Sequence, residues 1–104
     1  MIEADDLNPL LGKVIEKKLK DFPGWEFRDN KLIKQFQFKD FSDVLDFLNK
    51  LIPYCNKLDH HPDVHIYFRK VTFELTRYSI GGKVTARDFD VARKIETLYK
   101  NWPK

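Results

Sequence analysis

The chain has 104 residues and a mass of 12.5 kDa, with 42% hydrophobic, 34% charged and 14% aromatic residues, which is enough to build one core and too short for two domains. Nineteen Lys+Arg against sixteen Asp+Glu leave a formal +3 spread along the chain, a weak pull toward nucleic acid, and the lone Cys55 excludes an intramolecular disulfide. No apolar run nears the roughly 18–20 residues of a membrane span, and the acidic start Met1-Ile2-Glu3-Ala4-Asp5-Asp6 is unlike a basic signal peptide, so the expectation is a single domain over residues 1–104 in the cytoplasm.

In chain order, Leu7, Leu10, Leu11, Val14, Ile15 and Leu19 fall at helical spacing, with Asn8-Pro9 as cap and first-turn proline; the opposite face carries Lys13, Lys17, Lys18 and Lys20. Pro23-Gly24 closes that segment. Residues 25–28 and 32–38 are aromatic-rich and extended, and Asp29-Asn30 between them is a turn pair, so a β-hairpin is expected. Asp40 with Asp43 three positions on reads as a helix cap, and Phe41, Val44, Leu45, Leu48, Leu51, Ile52, Cys55 and Leu58 trace the apolar face of a long second helix. Pro53 within it predicts a kink or break. Cys55 on that stripe is expected in the core.

Beyond His60-His61-Pro62, Val71, Phe73 and Leu75 alternate with Thr72, Glu74 and Thr76, the period of a strand with one wet face. Gly81-Gly82 is a turn, and Val84 marks a further short strand. Thr85-Ala86-Arg87-Asp88 is a capping box ahead of Phe89, Ala92, Ile95 and Tyr99, a third helix ending before Trp102-Pro103. The pattern predicts an α+β fold: an antiparallel sheet covered by helices on one face.

All three histidines, His60, His61 and His65, lie within six residues. Pro62 disfavours helical geometry at His61, which places the first two imidazoles at the C-terminal mouth of the long helix, where the dipole favours a protonated ring. That position suits general acid–base work, although exposed histidines also simply close helices. Zinc fits poorly, because Pro62 keeps His61 and His65 off a common helical face and no Cys pair or HExxH accompanies them. No phosphate loop or GxSxG elbow is present.

Lys57-Leu58-Asp59-His60-His61-Pro62, then Phe68, Leu75-Thr76, Gly82 and Thr85-Ala86-Arg87-Asp88, together with Gly24-Trp25 and the run from Lys34 to Phe41, resemble the pterin-4a-carbinolamine dehydratase family over about residues 20–98. The resemblance implies a four-stranded antiparallel sheet with three helices in the order α-β-β-α-β-β-α, assembled as a homodimer or homotetramer. It also implies dehydration of 4a-hydroxytetrahydropterins to quinonoid dihydropterins, in recycling of a tetrahydrobiopterin-type cofactor, with no metal or organic cofactor. By position, His60 and His61 become the acid–base and substrate-orienting pair. Asp59, Thr76, Arg77, Tyr78 and Ser79 line the pterin site, and Asp88 is a supporting carboxylate.

Two positions depart from the family. Asn56 stands where an acidic residue is usual, and Tyr78, or Ser79 after a one-residue shift, stands where a third histidine is usual. A phenol with a reference pKa of ~10 is a poor base at neutral pH, so Tyr78 and Asn56 predict reduced activity. The alternatives are a weak or inactive member acting as a dimeric protein-interaction module, or a protein acting on another reduced pterin. Direct nucleic-acid binding is not expected, because the Lys-rich face has no aromatic platform.

Overall fold

The structure is a computed structural model that describes residues 8–104; Leu7 and the acidic start lie outside them. Helices α1 (Gly12–Leu19), α2 (Phe41–Leu58) and α3 (Ala86–Lys100) and strands β1 (Glu26–Arg28), β2 (Lys31–Gln37), β3 (Asp63–Tyr67) and β4 (Lys70–Leu75) follow in the order α-β-β-α-β-β-α. The strands form one antiparallel sheet in spatial order β1-β2-β4-β3. Fold class and element order are those expected from the sequence.

Asp29 and Asn30 both adopt left-handed φ, 55° and 60°, as a two-residue hairpin turn matched to strand twist requires. Across the centre, Leu32 pairs with Leu75 and Phe36 with Val71, which puts Leu32, Phe36, Val71, Phe73 and Leu75 on one buried face. Val44, Phe47, Leu51 and Cys55 of α2, Phe89, Val91, Ala92 and Ile95 of α3, and Ile15 of α1 close the core against it. Each fully buried side chain of this kind contributes roughly 1.5–3 kcal/mol. Burial pushes the Cys55 thiol up to about 11, which suits a core residue rather than a nucleophile.

Four local expectations are corrected. Helix α1 begins at Gly12, not near Pro9: Pro9 bridges Thr85 and the Leu10 N–H donates to the Val84 carbonyl at 2.8 Å. Those backbone groups are paired with the loop before α3, so they are not free to start a helix. The fourth strand is β3, not the Val84 segment, whose neighbours Lys83 and Thr85 make isolated bridges only. Pro53 sits inside an unbroken α2; the carbonyl left without its N–H belongs to Asn49, which is exposed, so the loss does not bury an unpaired group. Finally, the apolar face of α2 is divided. Phe47, absent from the expected stripe, is buried, whereas Phe41, Leu45 and Ile52 are exposed.

Asp40 Oδ1 caps α2 by accepting from the Asp43 N–H at 2.8 Å, but the Asp43 carboxylate does not reach back. It accepts from Trp102 Nε1 at 3.0 Å and ties the end of the chain to α2. Among the described residues no helix is long and apolar enough to cross a membrane.

Candidate active site

Helix α2 ends at Leu58, just before the histidines. Asp59 caps it in the left-handed region (φ 54°, ψ 47°), and the His60 N–H donates back to the Cys55 carbonyl at 3.1 Å. The reversal sends successive side chains in opposite directions: His60 is 7% exposed, while His61 stands in solvent. Aspartate tolerates this backbone region better than most non-glycine residues.

What receives His60 is the start of α3. Thr85 and Asp88 form the expected capping box, in which Asp88 Oδ2 accepts from the Thr85 N–H at 2.8 Å and from its hydroxyl at 3.3 Å. Asp88 is wholly buried, and its other oxygen is bonded to His60 Nε2. A carboxylate that caps a helix accepts only, so the His60 proton facing it is on Nε2. One side chain therefore caps α3, fixes a tautomer and joins two helix ends.

His61 is held differently. Its Nε2 lies 2.8 Å from Asn56 Oδ1 on the last turn of α2. An amide oxygen cannot donate, so Nε2 carries a proton, and in the neutral ring Nδ1 is the nitrogen with the lone pair. Asn56 thus supplies the hydrogen bond of an acidic residue without its charge.

The facing wall follows β4. Thr76 is buried, and its hydroxyl donates to the Asn30 carbonyl at 2.8 Å, so its proton is committed to the hairpin turn. Arg77 pairs with Lys83 in an isolated bridge, with its N–H donating to the Lys83 carbonyl at 2.9 Å. Between them Tyr78–Ile80 make one 3₁₀ turn, closed by Gly81 and Gly82 at φ 81° and 80°, a conformation that β-carbon sterics oppose in other residues. The Tyr78 hydroxyl donates to Asp63 Oδ2, and this bond, with help from burial, raises the phenol above its usual 10.

A cleft of about 330 Å³ lies between the walls, lined by Asp59, His60, His61 and Arg87 on one side and Thr76, Arg77, Tyr78 and Ser79 on the other. That volume is at the small end of ligand sites and suits a bicyclic heterocycle. All the sequence-predicted residues meet here, with Asp88 behind His60. Two were missed. Arg87 Nη1 donates to the Leu58 carbonyl at 2.9 Å, bridging α3 to the end of α2; a cation one residue before the capping carboxylate was its signal. Asp63, partner of Tyr78, directly follows the His-His-Pro run, where an acidic residue beside two imidazoles was a signal too.

An antiparallel sheet backed by helices on one face, with paired histidines at a cleft, defines a class of small α+β proteins. The sequence profile described as pterin 4 alpha carbinolamine dehydratase matches residues 8–98. A "Putative pterin-4-alpha-carbinolamine dehydratase" of Sulfolobus acidocaldarius is 40% identical over 84 residues, covering 81% of this chain and 91% of that protein. A crystal structure of a transcriptional coactivator/pterin dehydratase from Brucella melitensis superposes with a TM-score of 0.81 at 31% identity, covering 88% of this chain and 98% of that one. A pterin dehydratase-like protein described as a RuBisCO assembly factor in the alpha-carboxysome shares the fold, with a TM-score of 0.56 at 19% identity over 71% of this chain and 84% of that one. The chain belongs to the pterin-4α-carbinolamine dehydratase family.

Proposed function

We propose that the chain dehydrates a 4a-hydroxytetrahydropterin to the quinonoid dihydropterin by general acid–base catalysis. The observation that carries this is the pair of imidazoles with assigned protons at one cleft: His60 on buried Asp88, His61 on Asn56. In the reaction the C4a–O bond breaks, the leaving hydroxide gains a proton to become water, and the N5 proton is lost to a base; no electrons are exchanged with a second reactant. His61, whose Nδ1 takes no part in its hydrogen bond to Asn56, is the proton carrier. His60, its ring immobilised, orients the pterin, and Asp59, Thr76, Arg77, Tyr78 and Ser79 surround the ring.

The test is dehydration of chemically generated 4a-hydroxytetrahydropterin. Wild type accelerates it, and His61→Ala loses on the order of 10²–10⁴ of that acceleration. An unchanged rate in His61→Ala overturns the assignment. Tyr78→His gains rate if the phenol is a handicap.

A second reading rests on a separate observation. Ile52 of α2 (46% exposed) and Val64 and Ile66 of edge strand β3 (37% and 38%) form an apolar surface, continuous with a groove lined by Leu48, Cys55, His61 and Pro62. It supports a homodimer or homotetramer with this face covered, and a protein-interaction role alongside or instead of catalysis. Light scattering decides: Ile52→Lys and Ile66→Lys give monomers if the face is buried between copies, and an unchanged mass removes that support.

A further inference from the structure

We propose that Asp63 is a positioning residue for the cleft: it accepts the hydroxyl hydrogen bond of Tyr78, so the phenol offers the reduced pterin an oxygen lone pair and no donor. The inference rests on the reading of this cleft as a pterin site and assigns Tyr78 a polarity within it.

Tyr78 lines the cleft and Asp63 lies beside it on β3. Tyr78 opens the 3₁₀ turn after β4, anchored by the Arg77 to Lys83 bridge. Asp63 opens β3, directly after His60-His61-Pro62. Their bond ties a cleft-lining side chain to the first residue of β3. A phenol has one proton, and a carboxylate can only accept, so the bond leaves the phenol oxygen an acceptor for any other partner. Tyr78 is 56% exposed, and without this tether its ring would sample several rotamers.

Asp63 sits in a cluster of charged groups. Its cross-strand partner on β4 is Glu74, and Glu74 is held by Lys31 of β2 at 3.0 Å and by His65 of β3 at 3.4 Å. The charge of Lys31 acts on Asp63, Glu74 and Tyr78 together. Asp59, His60 with Asp88 behind it, His61, Arg77 and Arg87 complete the ionisable groups around the cleft. Reduced pterins carry several ring N–H groups and an exocyclic amine, so an acceptor fixed at the rim selects for a donor-bearing edge. A histidine at this position could present either a proton or a lone pair; the tethered phenol presents only the lone pair.

The test uses the full chain with ¹³C-labelled tyrosine. The Tyr78 ring-carbon resonance, identified by its loss in Tyr78→Phe, is followed against pH in wild type, Asp63→Asn and Asp63→Ala, and binding of 7,8-dihydrobiopterin is measured in the same proteins. The phenol should ionise at lower pH in Asp63→Ala than in wild type, with the isosteric Asp63→Asn between them. Asp63→Ala and Tyr78→Phe should each weaken dihydrobiopterin binding by roughly tenfold, the scale of one hydrogen bond, and the double variant should weaken it no further. In turnover the loss should fall on KM more than on kcat. Equal titration in wild type and Asp63→Ala, or additive losses in the double variant, overturns the proposal. A wild type that binds dihydrobiopterin with this pattern but does not dehydrate the carbinolamine overturns the dehydratase reading and leaves Asp63 as the positioning residue.

Discussion

His60 and His61 are neighbours in sequence, yet one is enclosed by the protein and gripped by a wholly buried carboxylate, while the other stands in water with an exposed amide as partner. The same division runs through the cleft. The inner wall (His60, Asp88, Thr85, Thr76) is built from groups whose hydrogen bonds must form for the chain to fold, because a buried polar group left unpaired is costly. The outer rim (His61 with Asn56, Tyr78 with Asp63) is built from pairs for which water is always an alternative. Geometry on the inner side is thus inherited from stability, and on the outer side it can change at little thermodynamic expense. Asn56 and Tyr78, the two positions that read in the sequence as departures from the family pattern, both fall on the rim.

The largest expected effect tests the inner wall. Asp88→Ala removes the acceptor of the Thr85 N–H and of His60 Nε2 together, combining the loss of a helix cap with a broken buried pair. The expected destabilisation is about 3–5 kcal/mol. For a chain of this size that lowers Tm by on the order of 15–30 °C, read by calorimetry. Asp88→Asn, which keeps the shape and an acceptor oxygen, should lose less than half as much. A loss below about 1 kcal/mol in Asp88→Ala would erase the distinction between the walls.

At the rim, Asn56→Glu places a negative charge beside His61. An opposite charge favours imidazolium, so the acidic limb of the rate–pH profile should move up by about one pH unit, while stability changes by no more than about 0.5 kcal/mol because the position is exposed. A profile that does not move would take the proton-carrying role away from His61; a large change in stability would show that the rim is as structural as the inner wall.

What the sequence revealed follows the same line. The box at Thr85 and Asp88, the turn at Asp29-Asn30 and the paired histidines are local patterns, readable because their partners lie within a few positions. The bonds from Asp88 to His60 and from Tyr78 to Asp63 join residues far apart in sequence, and no periodicity encodes which acceptor a side chain will meet. Strand β3 escaped for a related reason: at the sheet edge its side chains are largely exposed on both faces, so the alternation that marks β4 carries no burial. Helix α2 presents two adjacent apolar stripes, and periodicity alone could not tell that Phe47 is buried while Phe41, Leu45 and Ile52 are not.

The smallest effect lies farthest out, where Lys31 meets Glu74 at 3.0 Å beside the Asp63 to Tyr78 tether. The hydrogen bond from Lys31 holds the Glu74 carboxyl below its usual 4.5, and the same bond raises Lys31 above its usual 10.5. Because the folded value for Glu74 is depressed, its contribution is present above 4.5 and is lost as pH falls through the folded value. The Lys31 value is raised, so its contribution is present below 10.5 and is lost as pH rises through the folded value. Lys31→Met should therefore lower Tm across the neutral range by no more than about a degree, the scale of an exposed pair, and the gap should close in acid. Added salt should shrink it as well. If Lys31→Met instead matched Asp88→Ala, or if its effect persisted unchanged below the depressed Glu74 value, the ion pair with Glu74 would not be the source of the effect. The tether of Tyr78 would then have to be explained without the field that Lys31 supplies.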